Sequence, residues 1–132
     1  AAKRKAYAEQ IWAVCRAQTA LRVPDVPTYA QHAHYKCYVY VRPEQLKEGW
    51  SRDRIVAEIN ALGVPCFQGS CSEVYLEKAF DGTGYRPEPR LPVAQELGET
   101  SLMFLVHPTL TPAEIAQTCA AIAQVLQQAQ KA

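Results

Sequence analysis

The run Leu-Met-Phe-Leu-Val at residues 102–106, the longest in the chain made only of large apolar side chains, limits the possible folds more than any other feature. A membrane-spanning helix needs about 20 such residues, so the run is far too short to be one. It has the length of a strand, and it lacks the alternation of a strand with one face in water, so both of its faces must be covered. The sequence therefore predicts a strand over residues 101–106 at the centre of a sheet.

Helical periodicity and capping residues predict five helices around this strand. The strongest start is Thr111, followed by Pro112 and Glu114 and then by an apolar stripe. Ser70 and Glu73 have the spacing of a capping box, so they predict a second capped helix. The predicted helices cover residues 2–21, 51–62, 70–80, 92–97 and 111–129.

Two further strands complete the predicted sheet, a short one at residues 64–67 and an alternating one at residues 33–41. One predicted face of the longer strand carries Ala33, Tyr35, Cys37, Val39 and Val41, and the other carries His32, His34, Lys36, Tyr38 and Tyr40. Helices and strands therefore alternate along the chain. We predict an α+β fold in which a small three-stranded sheet is covered by helices.

The charge balance argues against two classes of partner. The chain has 14 Lys and Arg residues and 13 Asp and Glu residues, a net charge of +1. We therefore expect it to bind neither nucleic acid nor an anionic membrane. Its five cysteines show no pattern of a disulfide framework, which predicts reduced thiols and a cytoplasmic location. Charges at the start without an apolar stretch behind them indicate no secretory leader.

The histidines and cysteines do not predict a metal site. His32 and His34 share a face of the predicted strand, but Cys37 lies on the opposite face. The spacing of Cys66 and Cys71 differs from that of the usual zinc pairs. We therefore expect no bound metal. The simplest interpretation of three cysteines is that they are small core residues; these are Cys15, Cys37 and Cys119.

Cys71 is the one candidate for a reactive thiol, because it follows the predicted helix start at Ser70. A helix N-terminus lowers the pKa of a nearby thiol and favours anions. The alternative is a half-buried cysteine with a purely structural role. No Gly-rich phosphate loop is found, and the spacing of serines, cysteines and bases identifies no catalytic residue.

Several short motifs occur in an order that is typical of one enzyme family. They are His-Ala-His-Tyr-Lys-Cys-Tyr-Val at residues 32–39, the helix and Gly-Val turn at residues 51–64, Leu-Pro-Val-Ala at residues 91–94, and Leu-Val-His-Pro-Thr-Leu-Thr at residues 105–111. With them the chain resembles the C-terminal small domain of the DegT/DnrJ/StrS-type sugar aminotransferases, which depend on pyridoxal phosphate. His34 stands where this family often has tryptophan, and Gln95 stands where it usually has glutamate.

The resemblance implies a single domain over residues 1–132, the α/β small domain of fold-type-I pyridoxal-phosphate enzymes. Residues 1–27 would be the bridging helix and its exit, and residues 28–132 would form the sheet and its helices. The parent enzyme would transfer an amino group to a keto-sugar nucleotide, in the biosynthesis of polysaccharides or cell-surface sugars. Its partners would be a large N-terminal domain and a second subunit of a dimer.

The resemblance also implies how the site is divided. The lysine that holds pyridoxal phosphate would lie in the large domain, so this chain would have no catalytic and no cofactor-binding residue and would be inactive alone. The substrate-binding residues would be His32, Tyr35 and Ser70. His32 and Tyr35 alternate along the predicted strand, so a bend or bulge near Ala33 is needed for both to reach the cleft. Residues 67–71 depart from the family pattern, which indicates a subgroup in which Ser70 and the predicted helix start meet the substrate.

Two other function classes fit the order of helices and strands. A free-standing ligand-binding or regulatory domain with a ferredoxin-like sheet would have a similar order. A pure interaction or dimerisation module would expose a large apolar patch on the first helix, around Tyr7, Ile11 and Trp12. If the apolar stripe of this helix is instead covered, the helix must pack back on the sheet or pair with another copy.

Overall fold

A computed structural model describes all 132 residues, Ala1–Ala132. The helices are α1 (Ala2–Arg16), α2 (Arg52–Ala61), α3 (Pro92–Thr100) and α4 (Pro112–Ala129). The strands are β1 (Leu21–Arg22), β2 (Cys37–Val41), β3 (Cys66–Phe67) and β4 (Ser101–Phe104). Short 3-10 turns lie at Pro43–Gln45, Val74–Leu76 and Lys78–Phe80. No helix combines the length and the apolar composition needed to cross a membrane.

The strands form one antiparallel sheet in the order β1-β2-β4-β3. β4 is buried along its whole length and pairs on both edges, so the central position predicted for the strand at residues 101–106 is confirmed, although the strand ends at Phe104. The α+β class is confirmed as well. The sheet has four strands rather than three, because Leu21 and Arg22 form a strand where the sequence predicts the end of a helix.

The first helix is therefore shorter than predicted. It ends at Arg16, and a turn follows in which the Gln18 amide donates to the Cys15 carbonyl. Leu21 then pairs with Val41 at the edge of the sheet, where its side chain is 2% exposed. Leu21 continues the apolar stripe of the predicted helix, but in the structure it is buried as part of a strand.

The core lies between α1, α4 and the inner face of the sheet. Tyr7, Ile11 and Trp12 are buried within the chain, so the predicted packing of α1 on the rest of the domain is confirmed, and the patch expected of an interaction module is not exposed. Of the three cysteines predicted for the core, Cys15 and Cys37 are fully buried, and Cys119 is half-buried.

The helix starts follow the capping signals in two of three cases. Ser51 accepts a hydrogen bond from the Arg54 amide, and Thr111 forms a full capping box with Glu114. The third signal, Ser70 with Glu73, does not form a helix. Glu73 instead binds Arg90, with distances of 2.6 and 2.8 Å between carboxylate oxygens and guanidinium nitrogens.

Two arginines hold this helix-free segment in place. Arg90 and the Tyr75 hydroxyl bind Glu73 and keep the pKa of its carboxyl low, at about 2. Arg86 donates to the backbone carbonyls of Tyr75, Leu76 and Glu77 at 2.6–3.2 Å, and it also pairs with Asp81. Residues 73–91 are therefore ordered by side-chain contacts rather than by a helix.

The C-terminal residues tie the last helix to the rest of the domain. The Gln130 side chain accepts from the Ala20 amide at 3.2 Å and donates to the Gln18 side chain at 2.9 Å. Lys131 donates its backbone amide to the Gln45 carbonyl at 2.8 Å. Helices α1 and α4, far apart in sequence, pack against each other and are joined by these contacts.

Candidate functional site

The three residues predicted to bind substrate, His32, Tyr35 and Ser70, line one open depression of about 410 Å³. We call it the His32–Ser70 groove; its other lining residues are Ala33, His34, Lys36 and Tyr38. The groove lies where the segment before β2 meets the loop after β3. Residues far apart in sequence therefore meet at this end of the sheet.

A left-handed bend at His34 brings His32 and Tyr35 to the groove. The predicted strand over residues 33–41 is too long, because regular β-structure begins only at Cys37. His34 has a φ of 49°, and its backbone amide donates to Nδ1 of His32 at 2.8 Å. The alternation of faces predicted for residues 32–36 is therefore wrong: His34 is buried, and Tyr35 is 72% exposed. The bend required near Ala33 is found one residue later.

Ser70 lies at the centre of a small hydrogen-bond network. The Lys36 ammonium donates to Ser70 Oγ at 3.0 Å, and the Tyr38 hydroxyl donates to the same oxygen at 3.2 Å. The Ser70 amide in turn donates to the Tyr38 hydroxyl at 3.0 Å. Since Ser70 starts no helix, the helix dipole proposed for it is absent, and the positive charge of the groove comes from Lys36.

Gly69 permits this close approach. Its φ is 104°, a backbone conformation that favours glycine, and a Cβ atom at this position would lie 2.6 Å from Cε1 of the Tyr38 ring. A larger residue would push the ring away from Ser70. The contact between Ser70 and Tyr38 in the groove thus depends on the glycine at position 69.

Sequence reasoning missed Lys36 and Tyr38 as members of the site. A signal for them existed, since both lie on the predicted strand face that also carries His32. It was not decisive, because nothing in the sequence shows that Ser70 approaches this face from the other side.

His34 is an unusual residue within the groove wall. It is 5% exposed, and its Nδ1 atom is buried without a hydrogen-bond partner. Its ring lies 5.3 Å from the Trp12 ring and 4.4 Å from the His32 ring. Burial, and next the neighbouring His32, lower the pKa of His34 below the ordinary value, so its ring is neutral at pH 7.

Cys71 does not have the electrostatics predicted for it. Its thiol donates to Glu77 Oε1 at 3.4 Å, and this hydrogen bond raises the pKa of the thiol instead of lowering it. The reason is that no helix starts at Ser70: the backbone amide of Glu73 lowers the pKa of the thiol, but the hydrogen bond to the Glu77 carboxylate, which is the largest influence, raises it. Cys71 is exposed but not activated.

The groove offers groups that bind a polar or anionic molecule. These are the ammonium of Lys36, the three hydroxyls of Tyr35, Tyr38 and Ser70, and the exposed imidazole of His32. Lys36 is the lysine that lines the groove, and its ammonium is already hydrogen-bonded to Ser70. No three His, Cys, Asp or Glu side chains are grouped closely enough to hold a metal ion.

Comparison with known proteins gives matches among solved structures. No family model matches the chain, and no curated protein matches it. An aminotransferase from Psychrobacter cryohalolentis is 59% identical to the chain, with a TM-score of 0.90; the match covers 96% of this chain and 34% of that one.

More distant matches share the fold. A DegT DnrJ EryC1 StrS aminotransferase from Brucella abortus is 20% identical, with a TM-score of 0.72; the match covers 92% of this chain and 30% of that protein. The aminotransferase TlmJ from Streptoalloteichus hindustanus is 19% identical, covers 95% and 31%, and has a TM-score of 0.77. The predicted resemblance to aminotransferases of this type is confirmed, and the chain spans about a third of their length.

Proposed function

Because the chain has the sequence and fold of about a third of an aminotransferase, we propose that it is the C-terminal small domain of a DegT/DnrJ/EryC1/StrS-type enzyme. The observation that supports this best is the 59% identity over nearly the whole chain. The proposed parent enzyme is cytoplasmic, depends on pyridoxal phosphate and transfers an amino group to a keto-sugar nucleotide. The other two thirds of the enzyme are a large N-terminal domain that carries the cofactor lysine.

In this proposal the His32–Ser70 groove contacts the substrate. Lys36 supplies a positive charge, and Tyr38 and Ser70 supply hydroxyls within 3.2 Å of one another. Hydrogen bonds from an ammonium to a phosphate are charge-assisted and stronger than neutral ones. The diphosphate of a sugar nucleotide fits these donors, and His32 and Tyr35 then face the same ligand from the bend.

The cofactor supplies the electron sink for amino transfer when it is bound, and the protein supplies binding and orientation. The residues of this chain fit the second task. The ammonium of Lys36, the lysine that lines the groove, is held by Ser70. We therefore assign to this chain the orientation of substrate and the closure of one side of the cleft, and no catalytic residue.

The rest of the subunit and a second subunit are the proposed partners. Several large apolar side chains remain exposed on residues 74–93, and they are Val74 (54%), Leu76 (44%), Leu91 (48%) and Val93 (65%). The Leu91 amide donates to the Tyr75 hydroxyl at 3.0 Å, which brings the two ends of this segment together. We call these four side chains the 74–93 patch, and we propose that the large domain covers it.

A chimera tests the proposed function. In it, the chain replaces the matching third of the Psychrobacter cryohalolentis aminotransferase. We expect the chimera to bind pyridoxal phosphate and to transfer an amino group from glutamate to one member of a panel of keto-sugar nucleotides. The isolated chain, as a control, should do neither. A folded chimera that binds the cofactor but transfers no amino group to any of these substrates would contradict the proposal.

The groove residues are tested in the same chimera by His32→Ala, Tyr35→Phe and Ser70→Ala. Each change removes a hydrogen-bonding group, and a bond to a charged group is worth about 1.5–3 kcal/mol, so kcat/KM should fall by about tenfold or more. His107→Ala and Tyr29→Phe are the matched controls, because both residues are exposed and lie outside the groove. If all three groove variants keep the kcat/KM of the unchanged chimera, the groove does not bind substrate.

A further inference from the structure

His34 combines two features that rarely occur by chance in one residue. A non-glycine residue with a positive φ is uncommon, and such strain clusters at functional sites and switch regions. Buried polar atoms nearly always have a hydrogen-bond partner, and Nδ1 of His34 has none. The structure therefore holds this side chain in a place that its backbone and its polar atom both disfavour.

The ring is kept there by the aromatic residues on either side. Trp12 of α1 meets it edge to face at 5.3 Å, and His32 lies 4.4 Å away. The turn over residues 31–36 is closed by one further contact, the hydrogen bond from the His34 amide to His32 Nδ1. Since His32, Tyr35 and Lys36 all belong to this turn, its conformation determines the shape of the groove.

We propose that His34 is the positioning residue of the His32–Ser70 groove: its neutral ring fixes the turn of residues 31–36 against α1, and protonation of the ring releases the turn. The effect of this turn on substrate binding rests on the proposed function. The release of the turn is a property of this chain and is tested on the chain alone.

The charges around His34 agree with this direction. On α1, Lys5 disfavours a charged ring and Glu9 favours it, and within the turn His32 disfavours it. Arg16 of α1 and Asp25 of the preceding segment line the same cavity of about 910 Å³, and Lys36 lines the groove side. Burial is the largest influence and also disfavours the charge, so the pKa of His34 is lower in the closed turn than in an open one.

The sign of the pH dependence follows. A released imidazole has a pKa of about 6.5, and the closed turn binds a proton less well, so closure is fully stable only above that pH. Between this value and the lower pKa of the closed turn, the ratio of open to closed turns rises up to about tenfold for each unit by which pH falls.

The experiment is a pH titration of the chain by two-dimensional ¹⁵N–¹H NMR, from about pH 8 to about pH 5. The indole N–H of Trp12 is the reporter, because it donates to the Tyr38 carbonyl at 3.1 Å beside His34. Trp50, whose ring stacks on Arg54 at 3.8 Å, is the internal control. We expect the Trp12 signal to shift with a midpoint below about 6.5, and the Trp50 signal to stay constant.

Variants separate His34 from its neighbour. His34→Asn keeps a residue that tolerates a left-handed backbone but cannot titrate, so the shift of Trp12 should vanish. His32→Asn removes the opposing charge and keeps a side-chain acceptor for the His34 amide, so the shift should persist with a higher midpoint. His107→Asn, an exposed change, should leave the titration as it is.

A Trp12 shift that survives in His34→Asn, or one that is lost in His32→Asn, would assign the response to His32 and overturn the proposal. The ring signals of His34 in the unchanged chain give a second test that needs no variant, and a midpoint at or above about 6.5 would also overturn it. An inactive chimera together with the expected titration would reject the proposed function and leave the role of His34 in the turn standing.

Discussion

Cys71 shows at the scale of one residue how far chemistry depends on neighbours that the sequence does not identify. Next to a helix start its thiol would be activated, but it lies beside Glu77 and donates a hydrogen bond to that carboxylate. Burial raises the pKa of two other thiols, Cys37 and Cys66, to about 12. All three thiols are therefore weakly nucleophilic; Cys71 is accessible to reagents, whereas Cys37 and Cys66 are not.

We predict that Glu77→Gln makes Cys71 react faster with iodoacetamide. The change removes a negative charge and the carboxylate that holds the thiol proton, so the thiolate fraction at a given pH rises. The rate is measured by mass spectrometry at about pH 8, where the thiolate fraction of an ordinary thiol is substantial. Glu48→Gln, an exposed carboxylate elsewhere, is the control, and an equal or slower rate in Glu77→Gln would show that Glu77 does not restrain the thiol.

At the scale of helices and strands, α3 shows why a glycine is a poor guide to a helix end. The sequence predicts that Leu97 and Gly98 end this helix, but it continues to Thr100. Gly98 is needed for packing: a Cβ atom there would overlap Ser72 Oγ and lie 3.2 Å from Ser72 Cβ. The glycine lets the loop before α3 lie directly on the helix.

This packing predicts that Gly98→Ala has opposite effects in two backgrounds. In the unchanged chain the overlap with Ser72 should cost about 1–3 kcal/mol, and the higher helix propensity of alanine should return roughly 1 kcal/mol. The net effect is a destabilisation of up to about 2 kcal/mol. In a Ser72→Gly background the overlap is gone, so the same change should stabilise the fold by up to about 1 kcal/mol.

Urea unfolding is measured for the unchanged chain, Gly98→Ala, Ser72→Gly and the double variant. The four free energies of unfolding give the effect of Gly98→Ala in each background. Equal effects of Gly98→Ala in the two backgrounds would mean that Ser72 does not restrict position 98. The predicted reversal of sign needs no knowledge of the absolute stability.

Elements were predictable where local and tertiary signals agree. In α4 a capping box and a long apolar stripe point to the same helix, and both are present in the structure. At residues 70–80 the capping signal stands alone, and Glu73 finds a stronger partner in Arg90, 17 residues away. A sequence pattern contains no information about that pairing.

The sequence predicts three residues that line one groove, but it predicts neither the other residues of the groove nor how the groove is built. His32, Tyr35 and Ser70 do share one groove. The left-handed bend at His34 that joins them is not predicted by strand alternation, because non-glycine residues seldom adopt this conformation, even though histidine is enriched among those that do. The approach of Ser70 to Tyr38 depends on Gly69, whose purpose is visible only when the ring beside it is known.

For the whole molecule, the 74–93 patch offers a test of the proposal that this chain is one domain of a larger enzyme. We predict that the double change Val74→Thr and Val93→Thr alters the free energy of unfolding of the isolated chain by no more than about 0.5 kcal/mol, since both side chains are exposed. In the chimera the same change should lower the melting temperature or the dimer fraction, because apolar contact with the large domain is lost.

The measurements are thermal unfolding of both proteins and size-exclusion chromatography of the chimera. Val26→Thr is the matched control, since Val26 is a partly exposed valine outside the patch. A chimera that is as stable and as dimeric with the double change as without it would show that the patch faces solvent.

The pairing of α1 with α4 also has a consequence for how the domain is made. Within this chain, the apolar face of α1 is synthesised well before α4, which packs on it, and the contacts of Gln130 with Gln18 and Ala20 span more than 100 residues. Contacts of such separation cost much chain entropy before they form, and they slow folding. Most of this chain is therefore synthesised before the face of α1 that packs on α4 can be covered.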